Sequence, residues 1–399
     1  MLLPSDIAIV AGARTPMGRY CGKLRDFTAQ ELGAIAGVEA MKRAGVEPAE
    51  IDHVVFGNAQ QTSGDALYGA RHVGLKAGIP IETPALTVNR ICGSGIQSIV
   101  NAAQMIQLGE ATTVLAGGME SMSQAPHTIR GMRWGVGLGE GKLEDSLMVA
   151  LHDSQCGLYM AQTAELYAEQ QGITRDKMDE FSLRSQRLAG EAQEACRLSE
   201  EITPVALRNK KGEPTGEMFD KDDHLRPETT IEQLQKLRPA FGKNGVVTAG
   251  NASGIVDGAA AVVVMSVYDA QKRGAKPLGR IVSWGIAGVD PRIMGSGPVP
   301  ASQLALKKAG LKLSDIDLVE VNEAFAAQYL AVEKELGLDR DKVNVNGGAI
   351  ALGHPLGATG TRIVLTLLLE LKRRGARYGL ATACIGGGQG IAMIVENLK

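Results

Sequence analysis

The apolar positions of this chain fall into two spacings. Short runs around Ile7–Ala11, His53–Gly57 and Thr113–Ala116 read as buried strands, while Ala29–Ala44 and the apolar stretch after Cys92 are long enough for helices. Strands alternating with helices predict an α/β chain whose mostly parallel sheet is covered on both faces. Residues from about 275 to 399 repeat that order. Between about 122 and 248 the rhythm breaks: the segment is rich in charge and methionine, with helical stretches at Met160–Gln170 and Arg175–Ala195 and a turn near Arg208. It reads as an inserted lid. GNASGIVDGAAAVVVMS, Gly250–Ser266, resumes buried-strand character and returns to the first half. The expected organisation is an N-terminal half (1–121, resumed at 249–274), an inserted loop domain (122–248) and a C-terminal half (275–399).

An internal repeat supports that division. Ala44–Asn58 aligns with Ala309–Glu323, matching Gly45 with Gly310, Ile51 with Ile316, Asp52 with Asp317 and Val54 with Val319. The offset of about 265 residues holds without gaps downstream, pairing Gly95 with Gly360 and Leu115 with Leu380, as a duplication would. Cys92 then falls opposite Gly357, three residues past His354. Two copies facing each other would bring equivalent helix starts together at one dyad-related site. Asp52 and Asp317 are expected to cap or turn before equivalent strands.

Composition narrows the function classes. The 399 residues are 44% hydrophobic and 22% charged with 50 glycines, ample for large cores. A net charge of −2 without interleaved aromatic and basic residues gives no support to a nucleic-acid partner. The most apolar runs, Ala259–Val267 and Ile363–Leu371, are too short to cross a membrane. The start lacks a basic region before a long apolar core, so it reads as a first strand, and a bacterial cytoplasm or the mitochondrial matrix is the expected location. Five cysteines without a CxxC pair argue against a disulfide framework and against a structural metal site.

Chemistry concentrates in glycine-rich turns. Cys92, in NRICGSG, stands before a helix whose unpaired amides and dipole are expected to lower its pKa and activate it as a nucleophile. His354 stands between Gly353 and Pro355 on a defined turn, as a general base requires. Cys384 ends the apolar stretch GLATA, and the glycines after it leave backbone amides free to meet an oxyanion. Cysteine, histidine and second cysteine form an acyl-transfer constellation. Its run GGGQG lacks the spacing of a dinucleotide fingerprint, and LKRRGAR reads as cations at a helix C-terminus. His53, His72, His127, His152 and His224, with Cys21, Cys156 and Cys196, are set aside as non-catalytic.

NRICGSG, GGMESMS (Gly117–Ser123), GNASGIVDGAA, EVNEAFA (Glu320–Ala326), NVNGGAIALGHPLGATG and CIGGGQG together make the chain resemble the thiolases from end to end. The resemblance implies a five-layered αβαβα fold of two duplicated halves with an inserted loop domain, assembled as a homodimer or homotetramer. It implies coenzyme A and acyl-CoA thioesters as substrates, with no metal and no permanently bound cofactor. It makes Cys92 the acyl acceptor, His354 the group that takes its proton, and Cys384 the acid/base at the α-carbon. Asn322 would position a water that completes one oxyanion site with His354, and the amides of Cys92 and Gly386 would form the second. Within His224–Gly245, which also carries Lys236, Arg238 and Lys243, it selects Arg226 for the nucleotide end of coenzyme A. Phe241, Ala249 and Ser253 would follow the pantetheine, and Met160 and Met294 would wall the reacting acyl group.

The activity implied is thiolysis of 3-ketoacyl-CoA in fatty acid β-oxidation. The nearest alternative is a biosynthetic acetoacetyl-CoA thiolase condensing two acetyl-CoA units, against which Tyr159 beside Met160 departs from the His-Met pair usual there. A decarboxylating β-ketoacyl synthase and a non-catalytic acyl-CoA-binding or sterol-binding protein rank lower.

Overall fold

The computed structural model describes residues 6–209, 211–242 and 244–398, so Lys243 lies outside the described residues. The first half runs β1 (Ile7–Arg14), α1 (Ala29–Ala44), β2 (His53–Gly57), β3 (Ala85–Val88), α2 (Ser94–Gln107) and β4 (Thr113–Glu120). The middle segment contributes helices α3 (Met160–Gln171) and α4 (Arg175–Glu194), followed by β5 (Val256–Ser266). The second half continues with β6 (Gly279–Gly288), α5 (Pro298–Ala309), β7 (Leu318–Val321), α6 (Ala326–Leu336), α7 (Leu356–Arg374), β8 (Tyr378–Ile385) and β9 (Gln389–Asn397).

Local chemistry sets these boundaries twice over. Thr28 caps α1 in a reciprocal capping box with Glu31, and α1 ends on left-handed Gly45 (φ 62°). The helix related to it by the repeat, α5, ends on left-handed Gly310 (φ 67°). One Asp52 carboxylate oxygen accepts from the backbone N–H groups of Thr112 (2.8 Å) and Thr113 (2.9 Å) at the start of β4. Asp317 does the same for Arg377 (2.8 Å) and Tyr378 (2.9 Å) at the start of β8. These aspartates pin equivalent turns, as the repeat predicts.

The strands hydrogen-bond in the order β7-β8-β9-β6-β1-β5-β4-β2-β3. β1 and β6 join the halves over only three residue pairs, Ile7 with Ile281, Ala8 with Arg280 and Ile9 with Gly279. The expected mostly parallel sheet is wrong: only β2·β3, β2·β4 and β7·β8 run parallel. The error has a topological cause. β8 turns into β9 through Gly386–Gly388, a hairpin that forces antiparallel pairing, and β5 returns from the inserted segment antiparallel to β4.

Three apolar cores define five layers. α1 covers the outer face of the first sheet half through Leu32, Ala36, Ala40 and Met41. α2 and α7 share a central core with strands of both halves, including Ile96, Ile99, Val114, Val264, Ile363, Val364, Ala383 and Met393. α5 and α6 cover the opposite outer face with Ala301, Ala305, Leu330 and Ile394. α2 and α7 touch where only glycine fits. A Cβ at Gly360 would lie 2.4 Å from the backbone N of Ile96, and one at Gly95 would lie 2.4 Å from the N of Thr361. These glycines are partners in the repeat, so the pseudo-dyad runs through their contact. Both helix starts are thereby held beside it.

Gly360→Ala must push two backbones apart and is expected to destabilise the chain by about 3 kcal/mol or more. Gly45→Ala has open space and only an unfavourable φ to bear, for about 1 kcal/mol. Denaturant midpoints compare the two, and equal losses would contradict the close crossing.

Candidate active site

A cavity of about 390 Å³ opens beside the two helix starts. Cys92, His354, Cys384 and Gly386 all line it, although they lie up to some 290 residues apart in the chain. Most of the wall is apolar, with Ile91, Met122, Met148, Leu151, Phe325 and Leu356 among the lining side chains. A ligand entering it leaves water behind, so any hydrogen bond made inside is worth more than in solvent.

Cys92 sits in a single tight turn, Ile91–Gly93, that leads into α2. Ile91 holds φ at 46°, a left-handed value that a β-branched side chain adopts only under restraint. Two groups supply it. The Ile91 N–H donates to Asn89 Oδ1 at 2.9 Å, and Arg90 donates from Nε to Gln97 and from Nη1 to Gln389, each at 2.8 Å. Arg90 therefore ties the Cys92 turn to the β8–β9 hairpin that carries Cys384. The expected activation of Cys92 by the helix dipole is overturned. Cys92 keeps some surface toward the cavity, but protein encloses its sulfur, and burial pushes the thiol up to about 12 against the opposing amides of Gly386 and Cys92.

His354 is buried, its backbone N–H donating to Gly254 O at 2.9 Å. Thr359 Oγ1 donates to Pro355 O, so at 2.6 Å from Nδ1 it accepts the ring's proton. That tautomer leaves Nε2 as an acceptor, and Asn322 Nδ2 donates to it at 3.3 Å. Burial, then the nearby charge of Arg362, holds the imidazole down to about 3, so the ring is a neutral acceptor. Asn322 is fully buried and its Oδ1 has no hydrogen-bond partner among the described residues.

Cys384, 1% exposed, packs among Met294, Ala324, Met160 and Phe325. Burial first, and then the charge of Cys92, pushes its thiol well above the ordinary range. The two sulfurs feel each other. Glu120 at the end of β4 is fully buried, and burial raises it to about 7 despite the amides of Gln60, Ala59 and Gly357 that face it.

The residues expected along coenzyme A divide. Phe241, Ser253, Met160 and Met294 line the cavity, whereas Ala249 and Arg226 are exposed outside it. His152, set aside in the sequence, lines the cavity wall with Tyr159 and Phe241, their ring centroids 4.9 and 5.0 Å apart in succession. Sequence reasoning missed the roles of Ile91, Glu120 and Thr359. Thr359 stood five residues after His354 in the same motif, with Pro355 and the first turn of α7 bringing its hydroxyl back to the ring.

Residues 7–268 match the thiolase N-terminal domain and residues 275–397 the thiolase C-terminal domain. The mitochondrial 3-ketoacyl-CoA thiolase of Homo sapiens is 54% identical over 398 residues, covering 100% of both chains. An acetyl-CoA acetyltransferase of Cupriavidus necator is 49% identical over 393 residues, covering 98% of this chain and 99% of that one. The crystal structure of human mitochondrial 3-ketoacyl-CoA thiolase in complex with CoA superposes with a TM-score of 0.96 at 53% identity, covering 100% and 99% of the two chains. With its two halves, its five layers and its cavity between two helix starts, this chain belongs to the thiolase family.

Proposed function

We propose that the enzyme cleaves 3-ketoacyl-CoA with coenzyme A, through an acyl group carried on Cys92. The observation that supports this reading is the convergence of Cys92, a neutral His354 and Cys384 on one apolar cavity. As the sulfur of Cys92 attacks the keto carbon, His354 Nε2 takes the thiol proton. The developing oxyanion lies against the amides of Cys92 and Gly386. The bond between the keto carbon and the α-carbon then breaks, and Cys384 protonates the departing acetyl-CoA enolate. Coenzyme A enters next, loses its thiol proton to the Cys384 thiolate and attacks the Cys92 thioester. Acyl-CoA leaves, and the Cys92 thiolate recovers its proton from His354. Asn322 holds the water that, with protonated His354, stabilises the enolate oxygen.

Residues 122–248 act as the lid over coenzyme A, with Arg226 near the nucleotide end and Phe241, Ala249 and Ser253 along the pantetheine. The degradative direction is favoured by the wall of Met122, Met148, Met160 and Met294, adaptable side chains suited to acyl groups longer than acetyl. A reducing compartment, a bacterial cytoplasm or the mitochondrial matrix, suits the five free cysteines. Two features support a homodimer or homotetramer: among the described residues β3 pairs with β2 alone, and Trp134 (84%) and Leu138 (107%) project into solvent. A second copy pairing its own β3 edge about a twofold axis would cover that strand. Light scattering is expected to return two or four chain masses, and a monomer contradicts this assembly.

Intact-mass measurement after mixing with acetyl-CoA is expected to show one acetyl group on the wild type and none on Cys92→Ala. Cys384→Ala keeps the label while thiolysis and condensation fall by at least about 100-fold. Equal labelling of wild type and Cys92→Ala would remove the mechanism. Thiolysis is expected to persist as the 3-ketoacyl chain lengthens, and activity confined to four carbons would favour the biosynthetic reading.

A further inference from the structure

Glu120 does not line the cavity, yet its carboxylate joins the two turns on which the chemistry depends. It accepts four hydrogen bonds without exposing any surface. Asn58 Nδ2 (2.9 Å) and the Gln60 N–H (3.0 Å) donate to Oε1, while the N–H groups of Ala59 (3.0 Å) and Gly357 (2.8 Å) donate to Oε2. Gly357 opens α7 three residues after His354, so Oε2 clamps the base's turn to the loop after β2. That loop carries the link onward. Ala59 O accepts from Asn89 Nδ2 at 3.1 Å, and Asn89 Oδ1 accepts from the Ile91 N–H at 2.9 Å. Ile91 precedes the nucleophile and holds its left-handed φ of 46° only under such restraint.

We propose that Glu120 is a positioning residue, whose carboxylate sets the separation between the Cys92 sulfur and the His354 imidazole by tying α7 to the nucleophile's turn through Ala59 and Asn89. The assignment rests on the thiolase reading of Cys92 and His354. A carboxylate is required because four donors converge on two oxygens. A glutamine offers one acceptor oxygen and would turn its NH₂ toward either the Ala59 and Gly357 amides or the Asn58 and Gln60 donors. The first orientation breaks the link between Ala59 and Gly357, and the second sets donor against donor at Asn58 and Gln60 and displaces the loop that carries Ala59. The cost of this misplacement appears in the chemical step, since the cavity wall that binds the thioester contains neither Glu120 nor Asn89.

Full-length Glu120→Gln is mixed rapidly with acetyl-CoA, and the rate and amplitude of Cys92 acylation are followed by mass, beside steady-state thiolysis. The expected result is a kcat lower by roughly 100-fold, with acylation slowed in parallel but reaching full amplitude. KM for the thioester stays within about threefold of wild type. Asn89→Ala cuts the same linkage at its exposed end and is expected to lower kcat about tenfold, again at full amplitude. It decides the matter if Glu120→Gln does not fold. Normal acylation rates with reduced amplitude would mean that Glu120 merely maintains the folded fraction, and would overturn the assignment. So would unchanged kcat in Asn89→Ala. A wild type that never acylates on Cys92 would instead remove the thiolase reading beneath it.

Discussion

Two helices cross at Gly95 and Gly360 so closely that neither position can carry a side chain. The site follows from that contact. Because these glycines are equivalent members of a repeat, their contact places the start of α2 next to the start of α7, and each start carries a different reactive turn. The first half supplies Cys92 and the second supplies His354. The sheet halves then close around the pair from opposite sides, and the β8–β9 hairpin adds Cys384. The repeat supplies two equivalent helix starts, and Cys92 in the first has Gly357 as its partner position in the second.

The electrostatics of the site are those of a dry cavity. A helix N-terminus contributes about 0.3–1 kcal/mol, less than one pKa unit, whereas full burial moves a group by about 3–5 units. Burial wins, so Cys92 and Cys384 stay thiols and His354 stays neutral in the resting enzyme. A neutral triad is inexpensive to enclose. In the proposed mechanism, charge arises only as the sulfur attacks, when the imidazolium, the oxyanion and the amides of Cys92 and Gly386 would all face one another. Stabilisation is thereby concentrated in the transition state.

Much of this was legible in the chain. The offset between Asp52 and Asp317 located two equivalent turns, and the glycine-rich turns located Cys92, His354 and Cys384. What the sequence hid was tertiary. Strand direction depended on a hairpin and on the return of β5, neither of which leaves a helical signature between strands. The thiol's acidity depended on enclosure by side chains from both halves, which no local window contains. Glu120 looked like one more residue of GGMESMS, because its donors come from Asn58, Ala59, Gln60 and Gly357, distant in sequence.

The central claim is that one sulfur carries the acyl group against amides contributed by both halves. A crystal structure of the enzyme trapped with acetyl-CoA tests it most directly. The account predicts an acetyl group on the Cys92 sulfur, with its carbonyl oxygen about 2.7–3.1 Å from the backbone nitrogens of both Cys92 and Gly386. Acetyl on Cys384, or a Cys92 thioester whose oxygen points away from those two amides, would contradict it.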